Sequence, residues 1–421
     1  GQHRFATTSD SEAILHLFEE RNAASVTALE GMFAFAVGDG ARLFLARDPI
    51  GIKPLYYGVR KGAGNRPVLH FASELKALAD WADGVQEFPP GAYYDSQRGF
   101  VQYYTVPDDP PDPQPAAEQI RRVRQALEQA VASHLMSDVP VGAFLSGGLD
   151  SSVIAALARR HVRELHTFSV GVEGSNDIQA ARVVARHIGS IHHEYLFTAN
   201  EVMAALPEII YYLESFDQDL VRSAIPCYFC ARLASDHVKV ILTGEGADEL
   251  FAGYAYHKTF GDPALLHKEL RRSVTTLHNI NLQRVDRLTM RHSVEGRVPF
   301  LDTTFIRLAL SVSPEQKLKA DRDGRLTEKW VLRKACEDLL PPAIVWRTKE
   351  QFDEGSGSVD LLRDALRPAV DRLDVTQYRG AVLESVRSPE EAFYHKLLTE
   401  GYARPQVVLN NVARWASNRL Q

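Results

Sequence analysis

Three short stretches carry side chains whose types and spacing suit the handling of phosphate and of charge. The first is Ser146-Gly147-Gly148-Leu149-Asp150-Ser151. The apolar run Val141 to Leu145 before it reads as a strand buried on both faces, and Leu149 to Arg160 after it resumes at helical spacing. A glycine turn between strand and helix leaves free backbone N–H groups at the positive end of the helix dipole, which makes an anion site. The glycines let the backbone approach a phosphate with no side chain in the way. No Lys-Ser/Thr pair closes the turn, so it is not a Walker loop. It carries Asp150 instead, and a carboxylate beside bound phosphates is repelled unless a cation lies between them. The spacing therefore implies Mg²⁺ bridging Asp150 and a polyphosphate. A plain glycine turn in an α/β domain would account for Gly147-Gly148 alone, without the serines and the aspartate.

The second stretch is Thr243-Gly244-Glu245-Gly246-Ala247-Asp248-Glu249, followed by Gly253-Tyr254. Three carboxylates in a strand-to-helix turn repel one another unless a metal or substrate ammonia shares the site; a simple acidic helix cap is the alternative. The third runs from Trp346 through Lys349 to Gly357. It reads either as an exposed charged turn or as a lysine placed to neutralise charge growing on an α-phosphate. Cys227 and Cys230 have the spacing of half a zinc site, but no second pair exists and Cys336 stands alone. They are expected to be small apolar residues on a helix.

The elements that must position these stretches alternate as in a parallel α/β sheet. Strands are expected at His166 to Val170, His192 to Phe197 and Val238 to Thr243, with helices at Asp177 to Gly189, about 201–214 and about 223–236. Ser146, Val170 and Gly244 all fall at the carboxyl ends of strands, where ligands of open sheets bind, so one nucleotide reaches all three. Gln119 to His134 is amphipathic through Ile120, Val123, Leu127 and Val131, and is expected to pack beside the sheet. Five prolines between Pro107 and Pro115 mark 106–117 as a linker. Residues 1–105 read as an α+β block. Ser9 caps a helix with Ile14, Leu15, Leu17 and Phe18 on its apolar face, and two strands, Gly31 to Val37 and Arg42 to Ala46, turn at Gly38-Asp39-Gly40. Ser293 to Asp302 reads as a salt-bridged bend around Pro299-Phe300-Leu301; Lys329 to Ala335 is helical up to Leu340-Pro341-Pro342, and the tail from Leu361 is helical.

The 146–151 turn resembles the pyrophosphate loop of the ATP pyrophosphatases, which cleave ATP between the α- and β-phosphates and leave an adenylated substrate. With the segment 243–254, Glu295 to Asp302, the Lys349-Glu350-Gln351-Phe352 run, and Ala46-Arg47-Asp48, Gly51 to Tyr56 and Ala72 to Lys76 upstream, the chain resembles the glutamine-hydrolysing asparagine synthetases. That resemblance implies a partial class II glutamine amidotransferase domain of Ntn type at 1–105. It also implies a synthetase domain at 118–421, a parallel-sheet α/β fold of the adenine nucleotide alpha hydrolase kind with a helical C-terminal part. It gives ATP and pyrophosphate binding to Phe144, Ser146, Gly147, Gly148, Asp150, Ser151, Val170, Thr243 and Gly244, and Mg²⁺ to Asp150 and Asp248. Glu245 then handles the ammonia proton, and Lys349 stabilises charge on the α-phosphate. Asp10 matches a glutamine-binding position, with a plain helix-start acid as the alternative, and Met290 and Arg291 match the region where ammonia enters. The family's glutaminase nucleophile is an N-terminal cysteine, whereas this chain begins at Gly1 and its first cysteine is Cys227. The polypeptide as given is therefore expected not to hydrolyse glutamine by that route.

The 421 residues suggest two or three domains, and 45% hydrophobic with 24% charged residues are ordinary globular values. No apolar run approaches the ~18 residues of a membrane span. A net charge of -6 gives no reason to expect nucleic acid, and three cysteines fit a reducing, cytoplasmic setting. The expected activity is adenylation of the aspartate side chain followed by amide formation with ammonia, in a homodimer as the resemblance implies. The alternatives are a relative that adenylates another carboxylate, of β-lactam or secondary-metabolic type, and an inactive ATP-binding homologue.

Overall fold

The computed structural model describes residues 3–349, 352–373, 377 and 386–415. The chain divides into two compact units, Gly1–Val106 and Pro107–Gln421. In the first, helix α1 (Asp10–Arg21) starts where Ser9 accepts a hydrogen bond from the Ser11 N–H at 3.2 Å. Leu15, expected on its apolar face, is 45% exposed. The row that turns inward runs through Ile14, Leu17 and Phe18, and Leu15 lies about 100° round the helix from Ile14.

Strands β1 (Ala34–Gly38) and β2 (Leu43–Arg47) form the expected antiparallel hairpin. Asp39 closes its turn by accepting from the N–H groups of Ala41 and Arg42 at 2.9 and 2.7 Å. With β3 (Tyr56–Lys61), β4 (Pro67–Ala72), β5 (Asp83–Glu87), β6 (Ala92–Asp95) and β7 (Gly99–Gln102), two antiparallel sheets result, ordered β1-β2-β6-β7 and β4-β3-β5. Alternation along β2 sends Phe44 and Ala46 into a core with Val26 and Tyr93, and Leu45 into another with Leu55, Phe88 and Ala92. The Arg47-Asp48 pair is architectural. The buried Arg47 guanidinium donates to the carbonyls of Gly51, Lys53 and Phe88, and the Asp48 carboxylate accepts from the N–H groups of Ile50, Ile52 and Lys53.

The second unit is built on five parallel strands. In the order β10 (Ile191–Leu196), β9 (His166–Gly171), β8 (Val141–Phe144), β11 (Val240–Leu242), β12 (Glu295–Arg297), the first strand in sequence sits in the middle. The chain builds outward on one side of β8 and then crosses to the other, so the order reverses beside β8. A crevice opens at the carboxyl ends of strands at such a point.

The helices of this unit include α2 (Ala116–Ser133), α3 (Leu149–Arg159), α4 (Asn176–Ile188), α5 (Ala199–Leu213), α6 (Gln218–Ser235) and α7 (Ala247–Leu250). Then follow α8 (Pro263–Thr275), α9 (Asn281–Met290), α10 (Thr303–Ser311), α11 (Pro314–Lys317) and α12 (Trp330–Ala335). No helix or strand forms between Val106 and Pro115.

Four details differ from the sequence expectation. The buried face of α2 packs mainly on helices α3, α10 and α12. Helix α6 begins at Gln218 instead of near 223, since Asp217 accepts from the N–H groups of Asp219 and Leu220. The stretch expected as a bend supplies an edge strand, β12, paired to β11 through Val240 with Glu295 and Leu242 with Arg297. Its ion pair is present too, Arg297 to Glu295 at 2.9 Å, and Pro299, Phe300 and Leu301 are buried. Helix α12 starts one residue late and stops at Ala335, with Lys329 before it in the left-handed region at φ 56°. The tail is helical over Ser358–Val370, Pro389–Gly401 and Pro405–Leu409. Its residues 374–376, 378–385 and 416–421, with Glu350 and Gln351 of the lysine motif, lie outside the described residues.

Candidate active site

A cavity of about 180 Å³ opens at the carboxyl ends of β8, β9 and β11. Its wall includes Phe144, Ser146, Gly148, Asp150 and Ser151 from the first turn, Val170 from β9, and Thr243, Gly244, Glu245 and Asp248 from the second turn. Lys349 completes it from the far end of the chain. Of the residues expected to hold nucleotide, Gly147 alone is outside the wall. At φ 73° it turns toward α4, where a Cβ would fall 2.5 Å from the backbone of Ala180. Its role is to let the turn and α4 approach. Asp10 lies exposed in the first turn of α1, in the other unit. Arg291 pairs with Glu208 and lies over the Tyr212 ring, and neither Met290 nor Arg291 lines the cavity.

The two serines of the first turn hold its shape from within. Ser151 Oγ accepts from the Ser146 N–H at 3.2 Å and lies 3.0 Å from Ser146 Oγ, which accepts from the Gly148 N–H at 3.3 Å. The second turn presses against the first: a Cβ on Gly244 would stand 2.8 Å from the Ser151 nitrogen. The close approach brings the carboxylates of Asp150 and Asp248 to one place, with two lysines between them.

Lys329 Nζ lies 2.6 Å from Asp150 Oδ2 and 2.5 Å from Asp248 Oδ1. Lys349 Nζ lies 2.9 Å from Asp248 Oδ2 and 4.0 Å from Asp150 Oδ2. Burial opposes ionisation of Asp248, but Lys329 and Lys349 overcome it and hold the carboxyl well below the usual range. Burial likewise opposes the charge on Lys349, and Asp248 with Asp150 keeps the ammonium well above its ordinary value. Lys349 is therefore not the exposed turn residue of the bland reading. Asp150 Oδ1 is buried and has no hydrogen-bond partner among the described residues. Two converging carboxylates with an unpartnered oxygen suit a hard divalent cation, which takes oxygen ligands.

Sequence reasoning missed Lys329. One lysine in a charged run gave no sign of importance; in the fold it stands at the head of α12, at φ 56°, and its ammonium reaches both aspartates. Arg284 of α9, which is buried and paired with Glu245, was missed for the same reason. Behind them Tyr254 donates to Glu249 at 2.5 Å, and Asn281 donates to the same oxygen at 3.2 Å. Burial and the neighbouring Asp248 push the Glu249 carboxyl up to about 7. Trp415 closes this side of the cavity, edge-on to Tyr254 with ring centroids 5.2 Å apart. Asp217 accepts from its backbone N–H at 3.1 Å. Cys227 and Cys230 are free, buried thiols on α6, and burial pushes the Cys227 thiol up to about 12.

The family described as asparagine synthase matches residues 122–263 and 258–417, a range that contains every residue of the cavity wall. The chain belongs to the asparagine synthetase family. A glutamine amidotransferase domain family matches residues 1–80. A probable glutamine-hydrolysing asparagine synthetase of Dictyostelium discoideum is 37% identical, over 99% of this chain and 80% of that protein. Asparagine synthetase 2 of Arabidopsis thaliana is 38% identical over 95% of this chain and 72% of its own length. Asparagine synthetase 1 of Saccharomyces cerevisiae is 34% identical over 98% and 80%. Among solved structures, the NMN synthetase of Francisella tularensis aligns over 68% of this chain and 96% of its own, with TM-score 0.29 and 12% identity. No helix among the described residues is long and apolar enough to cross a membrane.

Proposed function

We propose that this asparagine synthetase family member is a carbon–nitrogen ligase that makes asparagine from aspartate, ammonia and ATP, forming AMP and pyrophosphate. The observation that carries the reading is the meeting of the Ser146–Ser151 turn, Asp150, Asp248 and Lys349 in one crevice. An aspartate β-carboxylate oxygen attacks the α-phosphorus, and the bond to the bridging oxygen breaks to release pyrophosphate. The N–H groups at the start of α3 receive the departing phosphates. Lys349, held charged, neutralises the α-phosphate oxygens as negative charge builds there, so it acts mainly in the transition state. Asp150 and Asp248 would hold Mg²⁺, which when bound would supply charge neutralisation for the polyphosphate.

In the second half, ammonia attacks the acyl carbon, a C–N bond forms, and the C–O bond to AMP breaks. Glu245 takes the proton released from nitrogen, and Arg284 holds that carboxylate at the cavity wall. Ammonia is the nitrogen that reacts here. Its supply from glutamine is what the relatives' names describe, and Asp10 is our candidate contact for that substrate's ammonium. We further propose a homodimer acting in the cytoplasm.

The test is pyrophosphate release with Mg-ATP and aspartate, run with ammonia and separately with glutamine, with asparagine quantified. Asparagine formed with ammonia supports the assignment. Pyrophosphate released with another carboxylic acid but not with aspartate overturns the substrate, and ATP binding without any pyrophosphate overturns the activity.

A further inference from the structure

Away from the cavity, the second unit brings three histidines together. His166 opens β9, His193 is the third residue of β10, and His237 lies between α6 and β11. His166 Nδ1 is 2.9 Å from His193 Nε2. The His193 ring stacks on His166 with centroids 5.2 Å apart and on His237 with centroids 3.8 Å apart. Each residue offers a ring nitrogen, and the three offered atoms lie within 4.8 Å of one another. The sheet register fixes two of them: in parallel pairing, His193 stands opposite Phe168, two residues along β9 from His166, so both rings project from the same face. His237 is exposed on its connection and its ring stacks on that of His193.

The arrangement needs an explanation because among the described residues no carboxylate pairs with any of the three rings. A second histidine group, His3 with His16, differs in this respect. There Glu12, Glu19 and Glu20 pair with the imidazoles and already satisfy them. Three imidazoles with converging nitrogens and no carboxylate paired to them among the described residues are a donor set for a transition metal. Imidazole suits Zn²⁺, Ni²⁺ and Cu²⁺, whereas Mg²⁺ prefers oxygen.

We propose that His166, His193 and His237 form a binding site for a Zn²⁺-class transition-metal ion, separate from the Mg-ATP site. A Zn–N bond of about 2.0–2.1 Å places tetrahedral ligand atoms about 3.4 Å apart. The present spacing becomes ligation when the three rings shift to that separation and the ion takes the place of the His166–His193 hydrogen bond, the donor ring then carrying its proton on its other nitrogen. The exposed side leaves the fourth position to water, as in three-histidine sites that keep an open coordination position. The ion ties β9, β10 and the connection into β11 together.

The experiment uses the full chain, stripped with chelator and held in excess Mg²⁺ so that the aspartates of the cavity are occupied. Zn²⁺ is titrated by calorimetry and Co²⁺ by its visible absorption, in the wild type, His193→Ala, His237→Ala and His16→Ala. The expected result is single-site Zn²⁺ binding and a Co²⁺ band in the wild type and in His16→Ala. Both signals are lost in His193→Ala and weakened in His237→Ala, while circular dichroism shows each variant folded. A wild type without Zn²⁺ binding overturns the proposal, as does a folded His193→Ala protein that binds Zn²⁺ equally well. Loss of binding in His16→Ala alone overturns it too, by placing the metal at the other histidine group.

Discussion

Replacing Lys329 by methionine removes the cation that touches both aspartates, and its cost follows from the geometry. Lys329 is 1% exposed, and its two partners are 15% and 16% exposed at their side chains. Breaking a buried pair by removing one partner costs about 3–5 kcal/mol, because the other charge is left behind. Lys349 still stands 2.9 Å from Asp248 and shares part of the load, so the expected loss is at the low end, about 3 kcal/mol.

The loss depends on pH. Asp248 has a depressed pKa in the folded protein, so its contribution is present above the unfolded carboxylate value near pH ~4 and is lost below it. In Lys329→Met the burial that opposes ionisation meets less compensation, and Asp248 takes a proton at higher pH. The deficit against wild type is therefore largest near pH ~8 and narrows toward pH ~5. Urea denaturation followed by tryptophan fluorescence at several pH values measures it. Mg²⁺ added without nucleotide stabilises the variant more than the wild type, since it restores positive charge between the carboxylates. Equal stability at pH ~8, or a deficit that neither pH nor Mg²⁺ alters, would refute the assignment of Lys329 as the electrostatic clamp of Asp150 and Asp248.

Three further outcomes are expected. Lys349→Ala lowers kcat for pyrophosphate release by about 10²–10³, the usual cost of losing one donor to a developing oxyanion, while ATP affinity measured by equilibrium binding changes far less. Trp415→Ala raises the KM for aspartate by about tenfold, or about 1.4 kcal/mol, and leaves the KM for ATP alone; Trp415 lines the cavity edge-on to Tyr254. Lys317 on α11 is wholly buried with no hydrogen-bond partner for Nζ among the described residues, and burial pushes its ammonium down to about 7. Because the unfolded lysine keeps its proton up to pH ~10.4, wild-type stability from this group rises between pH ~7 and ~10. Lys317→Met is thus more stable than wild type at neutral pH in thermal melts, with the advantage shrinking as pH rises.

What could be read from the sequence was the local part. The 146–151 turn, the strands on either side of β8 and the glycine-rich 243–248 turn announce themselves because glycine, charge and periodicity are all set within a few residues. Edge strand β12 did not, since a three-residue strand with charges at both ends lacks the alternation that marks a strand. The partners of α2 were invisible because an amphipathic face says what must be covered and not by which element. Lys329 and Arg284 act through contacts with Asp150, Asp248 and Glu245, far away in sequence. No spacing rule links such positions; only the folded sheet does.

The position of Trp415 also bears on how the chain acquires its cavity during synthesis. The serine turn, both aspartates and Arg284 are made before Trp415 and before Arg387 and Arg414, which pair with Asp217 and Glu391. Contacts between residues so far apart must wait for long loops to close, which makes them late events in folding. A ribosome can therefore carry a sheet already assembled around β8 while the wall beside Tyr254 is still absent. In that interval a bound nucleotide steadies the sheet, whereas the wall beside Tyr254 forms only when the C-terminal residues dock.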